Sequence, residues 1–239
     1  MRVLRPLLDL LYPPACAACD QPTEPKHAFC PPCADSLADL SPACPRCAEP
    51  FEGPAVEIEP TCLRCRRAPP PVDATLAPYR FGGQLAVALR RLKLTRRREV
   101  ARALGIVLRP CVAAIAPHVD VAIPVPLHWR RMSSRGFNQS ELLLRLASRG
   151  TGLRVDRGSL RRIRATPPQR GMSAELRAAN VHGAFRVPPR HRLRLRGARV
   201  LLFDDVVTTG ATLFAAARAL REAGAAEVIG LCAARAEMR

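Results

Sequence analysis

The sequence predicts an α/β fold, a mostly parallel sheet with flanking helices, preceded by a small metal-stapled module. Three observations lead there. From Val72 onward, short apolar or β-branched runs alternate with stretches of helical periodicity. Eight of the ten cysteines fall between Cys16 and Cys65, as four Cys-x-x-Cys pairs. Near the C-terminus, Val200 to Leu213 reads as a buried strand, two acids, a hydroxyl- and glycine-bearing loop, and the start of a helix.

The elements follow in order. Met1 to Tyr12 is short and apolar and reads as an amphipathic helix; Asp9 interrupts the uninterrupted apolar stretch that a signal peptide would need. No run of 18 or more apolar residues is present, so no membrane insertion is expected and the chain is expected in the cytoplasm. The cysteine-rich, proline-rich stretch forms one unit over 1–68. Ala68-Pro-Pro-Pro-Val72 is a stiff linker. The second unit spans 72–239. Within it Asp73–Phe81 is extended, and Gln84–Lys93 and Glu99–Ala116 are helical. Val119–Val125 is a buried parallel strand and Gln139–Ser148 a helix. Arg161–Phe185 is a polar loop with a short helix inside. Ala198–Phe203 is a second buried strand, Thr212–Ala223 a helix ended by Gly224, and Glu227–Ala233 a third strand.

Composition bounds the chemistry. With 48% hydrophobic residues but only 4% aromatics, the core must be aliphatic and alanine-rich. The formal net charge is +18, and all but Lys26 and Lys93 of the 38 basic residues are arginines. Eight zinc-bound thiolates and two Zn2+ would lower that charge by four. The remainder reads equally as compositional drift toward arginine or as a surface for polyanionic ligands, phosphates or nucleic acid.

The cysteine pairs are Cys16/Cys19, Cys30/Cys33, Cys44/Cys47 and Cys62/Cys65. Each pair can set two sulfurs about 2.3 Å from one ion, and two pairs complete a tetrahedral four-sulfur site. Four pairs therefore fit two structural Zn2+ ions, with no position left for water. Pairing in sequence order is the first choice; interleaved pairing has similar gaps. Cys111 and Cys232 have no partner at metal spacing and read as small buried apolar residues.

In Val200–Leu213, Asp204 and Asp205 stand at the C-terminal end of a strand, where open α/β sheets bind ligands. Val206, Val207, Thr208, Thr209, Gly210, Ala211 and Thr212 then lead into a helix N-terminus, whose free amides and dipole attract phosphate. Gly210 permits a positive φ or a close approach. Paired carboxylates beside a phosphate cradle suit a ligand that also carries a diol, such as a phosphorylated ribose. There is no lysine after Gly210, so this is not a nucleotide-triphosphate loop, and no Gly-x-Gly-x-x-Gly fingerprint is present here.

This segment resembles the phosphoribosyl pyrophosphate (PRPP) motif of type I phosphoribosyltransferases, whose sheet is Rossmann-like. The whole chain resembles the ComF family, double-zinc-ribbon, phosphoribosyltransferase-like proteins linked to competence and DNA uptake. The matching places are the four cysteine pairs; Tyr79 with Leu89-Arg-Arg-Leu-Lys93; Pro124-Val-Pro-Leu-His128 continuing to Arg135-Gly-Phe-Asn-Gln139; and Arg164-Ala-Thr-Pro-Pro-Gln169 with Arg177, Asn180 and Phe185. The resemblance implies that Asp204 and Asp205 contact the ribose hydroxyls and that Val206–Thr212 wrap the 5-phosphate. The loop after Val125, with Arg130, Arg131, Arg135, Gly136, Asn138 and Gln139, would face the pyrophosphate with its Mg2+. Asn138 could instead cap the following helix. Thr166 and Gln169 would belong to a loop, Arg164–Arg177, that closes over the site. His128 and His182 read as surface polar residues, and Phe137 as packing. Purine-salvage relatives carry an acid where this chain has Thr208, which cannot act as a base, so no catalytic residue is assigned. Two function classes remain open: PRPP-dependent pentosyl transfer, and a non-catalytic module that grips single-stranded DNA with DNA-uptake partners or senses PRPP. Scarce aromatics count against the single-strand reading, because such grooves stack bases on rings.

Overall fold

The structure is a computed structural model that describes residues 14–51, 61–95, 98–167, 169 and 171–237. The amphipathic helix expected at Met1–Tyr12 lies outside the described residues.

The cysteine-rich stretch contains two short helices, α1 (Pro31–Ala34) and α2 (Leu63–Arg67), each beginning directly after a cysteine. Beyond the prolines come β1 (Ala74–Leu76), β2 (Tyr79–Arg80) and two helices, α3 (Gly83–Thr95) and α4 (Arg98–Ile115). Strand β3 (Val121–Pro124) leads to α5 (Trp129–Arg135) and α6 (Gln139–Ala147). The polar stretch that follows holds helix α7 (Ala174–Val181) between two paired two-residue strands, β4 (Arg161–Arg162) and β5 (Phe185–Arg186). Helix α8 (Pro189–Leu195), strand β6 (Arg199–Val207), helix α9 (Ala211–Glu222) and strand β7 (Glu227–Arg235) complete the order.

The sheet is parallel throughout, in the order β1-β7-β6-β3, with β2 also pairing β7. Its central strands read as continuous apolar runs because both faces are covered: Val200, Leu201, Leu202 and Phe203 are all fully buried, and so is β3. One face packs on α3, α4 and α6 through residues such as Leu89, Leu104 and Leu144, and buried sulfurs of the first cysteine group join that same core. The other face packs on α9 through Leu213, Ala216 and Leu220.

Helix α4 approaches α6 closely at Gly105, where an added Cβ would meet the Leu146 Cβ at 2.7 Å. Residues Glu99–His118 are long and apolar enough to cross a bilayer by composition, but the helix puts Leu104, Leu108 and Val112 into the sheet core.

Several expectations change. The motif strand does not end at Phe203 but runs to Val207, because Asp204, Val206 and Val207 continue to pair with Cys232, Ala234 and Arg235. The segment carrying Arg130, Arg131 and Arg135 is not a loop but helix α5, started by the His128 side chain accepting from the Arg130 amide and ended by Gly136 in the left-handed conformation. His128 is accordingly buried rather than at the surface. The proline linker is partly packed, with Pro70 and Val72 buried. Cys232 is fully buried as expected, whereas Cys111 is only half-buried.

Candidate functional site

The eight paired cysteines form two groups in sequence order: Cys16, Cys19, Cys30 and Cys33, and Cys44, Cys47, Cys62 and Cys65. Within each, the four sulfurs lie within 4.8 Å of one another. Separations of 3.6 Å, as between Cys19 and Cys30 and between Cys47 and Cys62, are close to the roughly 3.8 Å edge of a tetrahedron with zinc–sulfur bonds of about 2.3 Å. Burial pushes the Cys33 and Cys65 thiols well up, whereas at Cys16 and Cys44 backbone amides outweigh burial and hold the thiol below its usual value. Both tetrads fit structural zinc, and the interleaved pairing is set aside.

The second tetrad is tied to the sheet. Arg235, at the end of β7, is fully buried, donates to the Cys47 carbonyl at 3.0 Å and pairs with Glu49. Arg64 pairs with the same Glu49 at 3.7 Å.

A cleft of about 250 Å3 opens at the C-terminal edges of β3 and β6. Asp204 and Asp205 form its acidic wall. The Asp204 carboxylate accepts from Ser140 Oγ and from the Asp205 amide, both at 2.9 Å. Burial, and then the neighbouring Asp205 charge, push its carboxyl up to about 7, against the hydrogen bonds from Ser140 and the Asp205 amide. Asp205 accepts from the Val206 amide at 3.0 Å and holds Lys93 Nζ at 2.6 Å.

The same cleft is lined by Arg131, Arg135 and Arg162. Among the described residues none of the three pairs with a carboxylate. Burial and then repulsion from Arg131 lower the Arg162 value, and Arg162 Nε is buried with no partner. Burial likewise lowers Arg135, opposed by Asp205. Guanidiniums stay charged, so three crowded cations are held at a disadvantage that a polyanion would relieve.

The loop of Thr166 and Gln169 reaches the cleft through both residues. Thr166 is buried, its carbonyl accepting from Arg131 at 3.2 Å and its hydroxyl from Arg162. Gln169 Nε2 donates to Thr212 Oγ1 at 3.3 Å, bringing the loop to the start of α9. Gly210 stands at that start with φ +82° and no room for a side chain: an added Cβ would lie 2.4 Å from the Phe214 ring.

The cleft therefore brings together Asp204, Asp205, Val206, Thr212, Arg131, Arg135, Gln139 and Gln169. Other expected residues sit elsewhere. Arg130 is exposed, its guanidinium 5.4 Å over the Trp129 ring. Asn138 is buried in a structural role, donating to the Val125 carbonyl at 2.9 Å and capping α6 through Ser140 N at 3.1 Å. Gly136 ends α5 at the surface. Thr209 turns its hydroxyl to the Ala211 amide, and both residues line a separate apolar groove of about 750 Å3.

The double zinc ribbon domain family matches residues 7–66, and the phosphoribosyl transferase domain family matches residues 150–237. The DNA utilization protein YhgH of Salmonella typhi is 34% identical over 232 residues, covering 95% of this chain and 99% of that protein. The chain belongs to the ComF family. Competence protein F of Haemophilus influenzae is 30% identical over 85% of this ComF-family chain and 88% of its own length. Among solved structures, a phosphoribosyltransferase from Corynebacterium diphtheriae matches 62% of this chain and 71% of its own at 25% identity and a TM-score of 0.32.

Three charged or polar cleft residues of this ComF chain carry no role in the sequence pattern: Lys93, Ser140 and Arg162. Lys93 had a signal. In a chain where arginine replaces nearly every lysine, one of two retained lysines marks a position that needs a compact ammonium. Ser140 and Arg162 carry no such mark.

A second charged feature lies apart from the cleft. Lys26, Arg102, Arg109 and Arg149 line a groove of about 370 Å3 between the first cysteine unit, α4 and the end of α6. Among the described residues none of the four has a carboxylate partner.

Proposed function

We propose that this protein binds PRPP with Mg2+ in the cleft at the ends of β3 and β6, and that it does so in the cytoplasm in service of DNA uptake or utilization. The observation that carries the reading is what one cleft brings together: adjacent carboxylates, and three arginines without carboxylate partners among the described residues. A ligand satisfying both must bear hydroxyls and more than one phosphate.

In this reading Asp204 and Asp205 accept hydrogen bonds from the ribose hydroxyls. The 5-phosphate belongs at the loop Val206–Thr212 before α9, where Val206 and Thr212 line the cleft while Thr209 and Ala211 line the neighbouring groove. Arg131 and Arg135 meet the pyrophosphate, while Gly136, Asn138 and Gln139 fix the backbone that presents them; Arg130, stacked on Trp129, stays outside. Thr166 and Gln169 hold the covering loop, which excludes water. The hard carboxylate oxygens suit Mg2+, which would neutralise the leaving pyrophosphate. The module 1–68 braces the catalytic-type unit 72–239 through Arg235.

The reaction would be pentosyl transfer. The bond from the anomeric carbon to pyrophosphate breaks, a bond to an acceptor nitrogen forms, and the acceptor's proton leaves to solvent. Thr208 cannot take that proton, which favours an acceptor that needs no side-chain base.

Calorimetric titration of PRPP with Mg2+ tests the reading, followed by pyrophosphate release screened over bases, nucleotides and DNA ends. Wild type should bind and Asp204→Asn/Asp205→Asn should not; no heat in wild type ends the proposal.

The basic groove favours a second reading, a single-stranded DNA contact. DNA binding that falls steeply with salt, survives the aspartate double variant and is lost in Arg102→Gln/Arg109→Gln would support it.

A further inference from the structure

Lys93 reaches the cleft from far away in the chain. It sits in the last turn of α3, well outside the strand–loop–helix that carries the two aspartates. Its ammonium lies 2.6 Å from Asp205 Oδ2, and the pair is largely shielded, with side-chain exposures of 31% and 14%. The other oxygen of Asp205 accepts from the Val206 amide. One oxygen of Asp205 is thus hydrogen-bonded, and the other has Lys93 as its ion-pair partner but makes no hydrogen bond of its own.

This has a consequence for which ligands the cleft admits. A ribose hydroxyl that donates to Asp205 Oδ2 competes with Lys93 for that oxygen. Separating a shielded ion pair is costly unless the displaced ammonium finds another anion close by. Asp204 is no substitute, since its carboxylate already accepts from the Ser140 hydroxyl and the Asp205 amide. The 5-phosphate is no substitute either, because it belongs at the N-terminus of α9, beyond the aspartates along the chain. An anion attached at the anomeric carbon, next to the diol, is within the reach of a side chain already at Asp205.

We propose that Lys93 is a specificity-determining residue: it exchanges its partner, from Asp205 to the 1-pyrophosphate, so that the cleft accepts the diphosphorylated sugar and discriminates against ribose 5-phosphate. The inference rests on the PRPP reading above. It assigns to Lys93 a different task from that of Arg131, Arg135 and Arg162. Those arginines attract any polyanion, whereas Lys93 makes the diol and the pyrophosphate bind as a unit.

The test is a comparison of two ligands rather than one. Dissociation constants for PRPP and for ribose 5-phosphate, each with Mg2+, are measured on the zinc-loaded full chain as wild type, Lys93→Met, Lys93→Gln and Lys93→Arg. Melting temperature and zinc content check the fold. The expected result is that PRPP weakens about tenfold or more in the Met and Gln variants while ribose 5-phosphate holds or tightens. Their ratio should therefore fall at least tenfold, with partial recovery in Lys93→Arg. Parallel weakening of both ligands in the folded Met and Gln variants, or an unmoved ratio, overturns the specificity role and leaves the PRPP reading standing. Absence of PRPP binding by wild type overturns both.

Discussion

Replacing Gly210 by alanine perturbs the start of α9 in two separable ways. The residue has φ +82° and ψ −4°, and for a residue with a Cβ the left-handed conformation costs about 1–2 kcal/mol. The new methyl would also lie 2.4 and 2.5 Å from two Phe214 ring carbons, far inside the ordinary carbon–carbon contact of about 3.5–4.0 Å. Phe214 is half-buried against the apolar groove, so its ring can turn aside at about 0.5–1.5 kcal/mol for leaving its rotamer. The sum is about 1.5–3.5 kcal/mol, which for a chain of this length lowers the melting temperature by roughly 3–14 °C. Thermal unfolding followed by circular dichroism of Gly210→Ala, Phe214→Leu and the double variant reads both parts. The double variant should recover about 1 kcal/mol relative to additivity, because leucine removes the clash but not the backbone strain. A Gly210→Ala protein that melts within a degree of wild type and binds PRPP unchanged would refute the reasoning.

Further outcomes follow from the buried charges and the sulfurs. The Asp204 carboxyl, raised to about 7, keeps a proton in the fold that the unfolded chain releases near pH 4. Its contribution to stability is therefore full at low pH and lost as pH rises through about 7, so urea melts should show a decline between pH 4 and 7 that Asp204→Asn lacks. The same deprotonation frees a ribose acceptor, so PRPP affinity should rise across pH 7 in wild type and not in that variant. Arg235→Met removes the donor to the Cys47 carbonyl and the buried partner of Glu49, and should destabilise the chain by about 3 kcal/mol or more in denaturant melts. Elemental analysis should give two zinc ions per chain, falling to about one in Cys19→Ser, with the second tetrad retained.

Much of this molecule is legible along the chain because local signals there agree with the fold. Val200–Phe203 has no polar residue, and only a strand covered on both faces needs that. The four Cys-x-x-Cys pairs fix metal stoichiometry by spacing alone, although the choice between sequence-order and interleaved pairing needed the folded chain. The strand's extension through Asp204 and Asp205 is not legible, since two adjacent acids look like the end of a strand. Pairing with β7 and the Ser140 hydroxyl are what retain them in it. Helix α5 has no apolar periodicity over its seven residues, and it depends on His128 as a cap and on a left-handed Gly136. Lys93, Ser140 and Arg162 come from three separate elements, and their convergence on Asp204 and Asp205 is a property of packing. Thr209 shows the converse: its place in the motif is plain, while the direction of its hydroxyl follows from the turn at Gly210.

The central claim is that one cleft takes a diol and two phosphate-bearing groups at once. A crystal structure of the zinc-loaded chain soaked with PRPP and Mg2+ tests it most directly. Ribose hydroxyls should then lie on Asp204 and Asp205, the 5-phosphate at the loop entering α9, and Lys93 should turn away from Asp205 toward the pyrophosphate. Ligand density confined to the groove of Lys26, Arg102, Arg109 and Arg149, with the Lys93–Asp205 pair intact, would contradict it.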